Sequence, residues 1–234
     1  MMAERPGMNS SDNHDASAPH LEKIRASISS GSLDTAESMV DRLLAESASD
    51  AFGWDLRGLI AHLRGDPRMA RSHTRRAIRL REDVPDFHEH MALYLRLLGR
   101  TEEAIHSVQR ALELLEGGGP PSPERCAALH DFWGHLARDG GDIDASVMHH
   151  EIACAGHPEG VEFLSNLAIA CADHPERADD ALEMIRRATR RAPTRADLHF
   201  NHAKIEVKVG AEDEAIRALD RTLSLDPRHV GATM

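Results

Sequence analysis

The chain has 234 residues, enough to bury a sizeable core, but only 3% are aromatic, so Ala and Leu packed between helices must supply the burial. A formal net charge of −11 argues against the basic face that a nucleic-acid backbone or an anionic membrane surface requires. No apolar run is long enough to span a bilayer and the polar start carries no apolar signal-peptide core, so a cytoplasmic location is expected.

Residues 1–16 are rich in Ser, Asn and Asp, poor in large apolar side chains, and read as a disordered leader. From residue 17 the chain repeats with a period of 34. The first unit, 17–50, carries Gly31, Ala36 and Leu43. The second, 51–84, sets the pattern with Trp54, Gly58, Gly65, Ala70 and Ala77. In the third, 85–118, Ala92, Gly99, Ala104 and Ala111 stand 34 residues beyond Gly58, Gly65, Ala70 and Ala77. The run Gly117 to Pro123 then interrupts the helical pattern, with Ser122 read as an N-cap and Pro123 as the first helical residue. This insertion, near 117–123, is expected to form a joint between the first three units and the rest. The fourth unit, 127–160, is marked by Gly134, Gly141, Ser146, Ala153 and Pro158, and the fifth, 161–195, by Asn166, Ala168, Ala181, Ala188 and Pro193. The sixth, 196–229, repeats Ala203, Gly210, Ala215 and Leu223 before Asp226-Pro227 stops its second helix, leaving a tail at 230–234.

Two antiparallel helices per unit account for this spacing. Small residues such as Gly58 and Ala92 let the helices approach, and the mid-unit Gly supplies the positive φ that ends the first helix. The small-residue and turn positions, Trp54, Gly58, Gly65, Ala70 and Ala77 and again Ala203, Gly210, Ala215 and Pro227, resemble the tetratricopeptide repeat. The resemblance covers about nine-tenths of the chain. It implies an all-α fold, a right-handed α-solenoid of about six helix-turn-helix repeats.

Motifs for catalysis are missing. The sequence has no phosphate-cradling Gly-rich loop followed by Lys-Ser or Lys-Thr, no Gly-x-Ser-x-Gly elbow and no His-Glu-x-x-His, so neither enzymatic activity nor a cofactor is expected. Glu102 and Glu103 read as capping charge at a helix start. Cys126, Cys154 and Cys171 are odd in number and far apart, which suits thiols in a helical core rather than disulfides. The 16 histidines are the compositional oddity. His88 and His90, two apart on a helix, point to different faces and make a poor metal pair. His150, Cys154 and His157 fall at i, i+4 and i+7 and form the best-spaced metal set in the sequence, although His157 precedes Pro158 at a helix end. The chain as a whole is expected to hold no metal.

Binding is the expected activity. The resemblance implies that the first helix of each unit lines a concave surface that takes an extended peptide or a helix of another protein. On that surface fall Leu59, Leu93, Arg96 and His135 in the earlier units and Asn166, Phe200, Asn201, Lys204 and Lys208 in the last two. Leu59, Leu93 and Phe200 would be apolar anchors. Asn166 and Asn201 share a unit position and resemble groove asparagines that hold a peptide backbone, an amide being both donor and acceptor. Lys204 and Lys208 share a helix face and are two of only three lysines in the chain. An apolar strip on the last helix, Ile216, Leu219, Leu223 and Leu225, points to self-association through the C-terminal repeat or to coverage by the partner. Two other readings stay open: an accessory or targeting subunit of a separate enzyme, and a histidine-rich metal-handling protein.

Overall fold

A computed structural model describes residues 12–118, 122–229 and 231. Among these residues every regular element is an α-helix. The chain forms two compact units, Met1–Arg100 and Thr101–Met234. In the first, α1 (Asp12–Ser29), α2 (Leu33–Glu46), α3 (Ala51–Leu63), α4 (Pro67–Leu80) and α5 (Pro85–Leu97) each pack on the next. The second contains α6 (Thr101–Gly117), α7 (Pro123–Asp139), α8 (Ile143–Gly156), α9 (Val161–Asp173), α10 (Ala178–Arg191), α11 (Ala196–Lys208) and α12 (Glu212–Leu225). There too the helices follow one another as hairpins, the layering of an α-solenoid.

Capping and turn chemistry set the helix limits. Asp50, Asp66, Ser122 and Asp142 each accept a backbone N–H from the first turn of the helix that follows, and Pro67, Pro85 and Pro123 open their helices where no N–H is needed. The mid-unit glycines Gly31, Gly65, Gly99, Gly141 and Gly210 all have positive φ. At Gly65 (φ +82°) the following N–H, that of Asp66, reaches back to the Ala61 carbonyl at 2.9 Å, which closes the end of α3. The fifth repeat lacks this glycine and ends α9 at His174 in extended conformation.

Small residues sit where the helices cross. Ala36, Ala70, Ala104, Ser146, Ala181 and Ala215 recur at one repeat position and all are buried, as is Ala92. A Cβ added to Gly58 would meet the Thr74 Oγ1 at 2.6 Å, and one added to Gly134 would meet the His150 ring at 2.7 Å. Within the first unit Leu21, Ile24, Val40, Leu56 and Ile60 form one apolar cluster. Within the second Leu164, Leu167, Cys171, Ile185, Leu198 and Ile205 form another.

Two expectations about chain organisation change. Helix α1 begins at Asp12, inside the segment read as a disordered leader; residues 1–11 lie outside the described residues. The division between compact units falls at Arg100–Thr101, in the turn of the third repeat, and not at the Gly/Pro-rich insertion. Helix α6 runs on to Gly117 and packs against α7, so the insertion connects two helices of the same unit. Of that insertion, residues 119–121 lie outside the described residues, as do 230 and 232–234 of the tail.

Candidate functional site

The first helices of the last three repeats, α7, α9 and α11, are each joined to the next by a polar pair. The Asn166 Nδ2 on α9 donates to both carboxylate oxygens of Asp131 on α7, at 3.0 Å each. The Asn201 Nδ2 on α11 donates to the Ser165 Oγ on α9 at 3.1 Å. The first unit has the same rung between α3 and α5, where the His90 Nδ1 lies 2.9 Å from the Asp55 Oδ2. All three rungs join unit position 5 to position 6 of the next repeat, at separations of 35, 36 and 35 residues. Burial lowers the His90 pKa, but the hydrogen bond and charge of Asp55 outweigh it and the net shift is upward. The Thr74 hydroxyl of α4 donates to the same carboxylate at 3.0 Å.

Asn166 and Asn201 therefore each commit an N–H inward. Their Oδ1 atoms have no hydrogen-bond partner among the described residues and remain as acceptors on a half-buried surface. The lysines are more engaged than expected. Lys208 is ion-paired with Asp173, which stands 35 residues earlier on α9 and also lies 3.9 Å from Arg138. Lys204 sits over the Phe200 ring at 5.8 Å. Phe200 is not an open anchor: His229 lies against it with ring centroids 4.6 Å apart, and a Cβ on Gly231 would meet its Cζ at 2.5 Å. The chain's own C-terminal segment covers one side of that ring. Leu59 on α3 and Leu93 and Arg96 on α5 are half-buried.

The metal set read from spacing does not assemble. Among the described residues the potential ligand atoms that converge belong to Asp131, His135 and His150, while Cys154 and His157 stand outside the group. His157 caps the end of α8 and packs edge-on against Phe163, because the helix stops before its ring can join the stripe. Burial pushes the Cys154 and Cys171 thiols up to about 11, the protonated and unreactive state. A second histidine group escaped the sequence reading. His149 stacks on Trp133 with ring centroids 3.9 Å apart, and its Nδ1 faces the Nδ1 of His130 at 3.1 Å. Burial, then the neighbouring His130 and His150, hold His149 down at about 4.

The rungs were also missed, though they left a signal. An acid or hydroxyl at position 5 is followed at position 6 of the next repeat by a side chain that can pair with it. Reading histidines only against histidines hid the pairing of His90 with Asp55.

Residues 176–230 match the family model described as tetratricopeptide repeat. Solved structures agree over most of the chain. PilW, described as a widely conserved type IV pilus biogenesis factor, shares 15% identity at a TM-score of 0.81, over 93% of this chain and 97% of its own. The fold is the tetratricopeptide-repeat fold. Pseudomonas aeruginosa pilF aligns at 13% identity and a TM-score of 0.76, over 94% of this chain and 96% of its own. YrrB, described as a tetratricopeptide-repeat protein with an unusual peptide-binding site, aligns at 15% identity and 0.62, over 83% and 95%. At such identities the likeness is one of tetratricopeptide fold alone. No curated protein sequence matches the chain. Among the described residues no helix is long and apolar enough to cross a membrane.

Proposed function

We propose that the chain is a non-enzymatic, cytoplasmic adaptor whose first helices hold an extended peptide of a partner protein. One observation carries this reading: Asn166 and Asn201, at the same repeat position on successive first helices, are each fixed by a side-chain rung through the amide nitrogen, while the amide oxygen has no hydrogen-bond partner among the described residues. Oxygens held in this way accept N–H groups of a peptide main chain without first losing rotamer freedom. The neighbouring fold of YrrB, with its described peptide-binding site, supports the same class of activity.

The test is selection of peptides from a displayed random library on the intact chain, followed by anisotropy titration. Asn201→Ala, which loses only its bond to the Ser165 hydroxyl, should weaken the selected peptides about tenfold, the value of a hydrogen bond of about 1.4 kcal/mol. Equal affinity for the parent and for both Asn201→Ala and Asn166→Ala would overturn the reading. Self-association remains a second proposal, favoured by the 57% exposure of Ile216 on α12 and the 60% exposure of Val207 on α11.

A further inference from the structure

The carboxylate of Asp131 is approached by two imidazoles. The His150 Nδ1 lies 2.9 Å from its Oδ1, and the His135 Nε2, one turn along α7, lies 3.6 Å from its Oδ2. The two rings stand nearly perpendicular, with centroids 5.0 Å apart. All three ligand atoms fall within 4.8 Å of one another. A tetrahedral ion with bonds of about 2.0–2.1 Å separates its ligands by about 3.3 Å. The two Asp131 edges, one to each carboxylate oxygen, lie on either side of that value and the remaining edge is at most 4.8 Å, so the side chains draw together to seat an ion.

The supporting contacts fit a metal centre as well. His150 is 1% exposed and its ring, Nε2 included, is wedged where Gly134 has no Cβ, so Nδ1 is the nitrogen aimed at the carboxylate. From the other side the Asn166 amide donates to both carboxylate oxygens, which orients Asp131 in the manner of an outer-shell partner. The open side lies toward Asp131 and His135, whose side chains are 15% and 24% exposed. The second repeat supplies an internal comparison. There the equivalent carboxylate, Asp55, accepts from Thr74 in the register of His150, 19 residues on in both cases, and contacts His90 in the register of Asn166, while Leu59 occupies the sequence register of His135. One repeat thus sets two imidazoles and an amide around a carboxylate whose counterpart has one imidazole and a hydroxyl.

We propose that Asp131, His135 and His150 bind one divalent transition ion of the zinc type, with the fourth position open toward solvent. Two nitrogens and one oxygen suit Zn²⁺ or Co²⁺, whereas Ca²⁺ and Mg²⁺ require more oxygen ligands. The ion takes the place of the hydrogen between the His150 Nδ1 and Asp131, the neutral ring carrying its proton on Nε2, and binding weakens in acid because protons compete for the imidazole nitrogens. The site shares the Asn166 amide nitrogen with the proposed peptide surface but neither amide oxygen nor Asn201, and it stands whether or not peptides bind.

The test uses the full chain without an affinity tag. Calorimetric titration with ZnCl₂ should give one stoichiometric site, and CoCl₂ should give the visible ligand-field bands of a tetrahedral centre. His135→Ala, checked for an unchanged helical spectrum, should lose the bands and weaken Zn²⁺ at least tenfold; Asp131→Asn should do the same. His199→Ala, on α11, should behave as the parent. A parent without a stoichiometric site, a His135→Ala that retains it, or equal loss in His199→Ala would each overturn the proposal, the last by marking the binding as adventitious.

Discussion

His149 lies flat on the Trp133 indole with its Nδ1 against that of His130, and of two facing nitrogens only one can carry the shared proton. The folded imidazole resists protonation until about pH 4, whereas in the unfolded chain it takes up a proton near its ordinary 6.5. Between those values the unfolded state binds more protons, so His149 stabilises the fold above pH 6.5 and loses that contribution as the pH falls toward 4. His90 has the opposite sign: its raised pKa makes its contact with Asp55 stabilising below 6.5 and progressively lost as the pH rises through the folded value. Urea unfolding at pH 7 and pH 4.5 should therefore show His149→Phe losing less stability on acidification than the parent, by at least about tenfold in the folding constant. An identical acid response would remove His149 as a source. At this scale the period placed Asn166, Asn201, Lys204 and Lys208 on one surface, but Asp131, Ser165 and Asp173 as their partners did not emerge. A repeat tells which positions recur, and rotamer and neighbour decide which atoms meet.

Helix limits were largely legible. Ser122 and Pro123 start α7 as the N-cap pattern predicts, and five mid-unit glycines adopt the positive φ their turns require. These features depend on residues close in sequence, which is why local chemistry reveals them. The start of α1 and the boundary between compact units depend on packing with distant residues and left no local mark. Close approach between paired helices gives the sharpest test. Gly58→Ala should cost about 1–3 kcal/mol by overpacking against the Thr74 Oγ1 and the Ala70 carbonyl, read as a lower denaturant midpoint. Gly117→Ala, where an added Cβ meets nothing within 4 Å, should leave the midpoint nearly unchanged. Equal midpoints for the two variants would mean that α3 and α4 are not in the register described.

At the scale of the molecule, the repeat itself was the strongest signal, because recurrence accumulates over the chain while each unit alone is weak. The partner was not legible, since the period marks which positions line a surface and not what chemistry a partner brings to them. One interaction can be tested without knowing the partner. If Ile216 and Val207 serve self-association, sedimentation of the parent should show a larger species that grows with concentration, and Ile216→Ser should shift it toward monomer. A parent that stays monomeric throughout would leave both side chains to solvent or to another protein.

The scarcity of lysine has a practical consequence. Apart from the terminal amine, the chain has three primary amines, at Lys23, Lys204 and Lys208, and two of them lie within one turn of α11 beside Asn201. Amine-reactive crosslinkers, dyes and sensor surfaces will attach there or on α1. Coupling through α11 would mask the amide oxygens offered to a peptide and make a competent protein look inert, so immobilisation through an engineered tag is the sound format. The same narrow chemistry is an asset for mapping: a crosslink from a bound partner to either α11 lysine would place that partner on the proposed face in a single mass-spectrometric assignment.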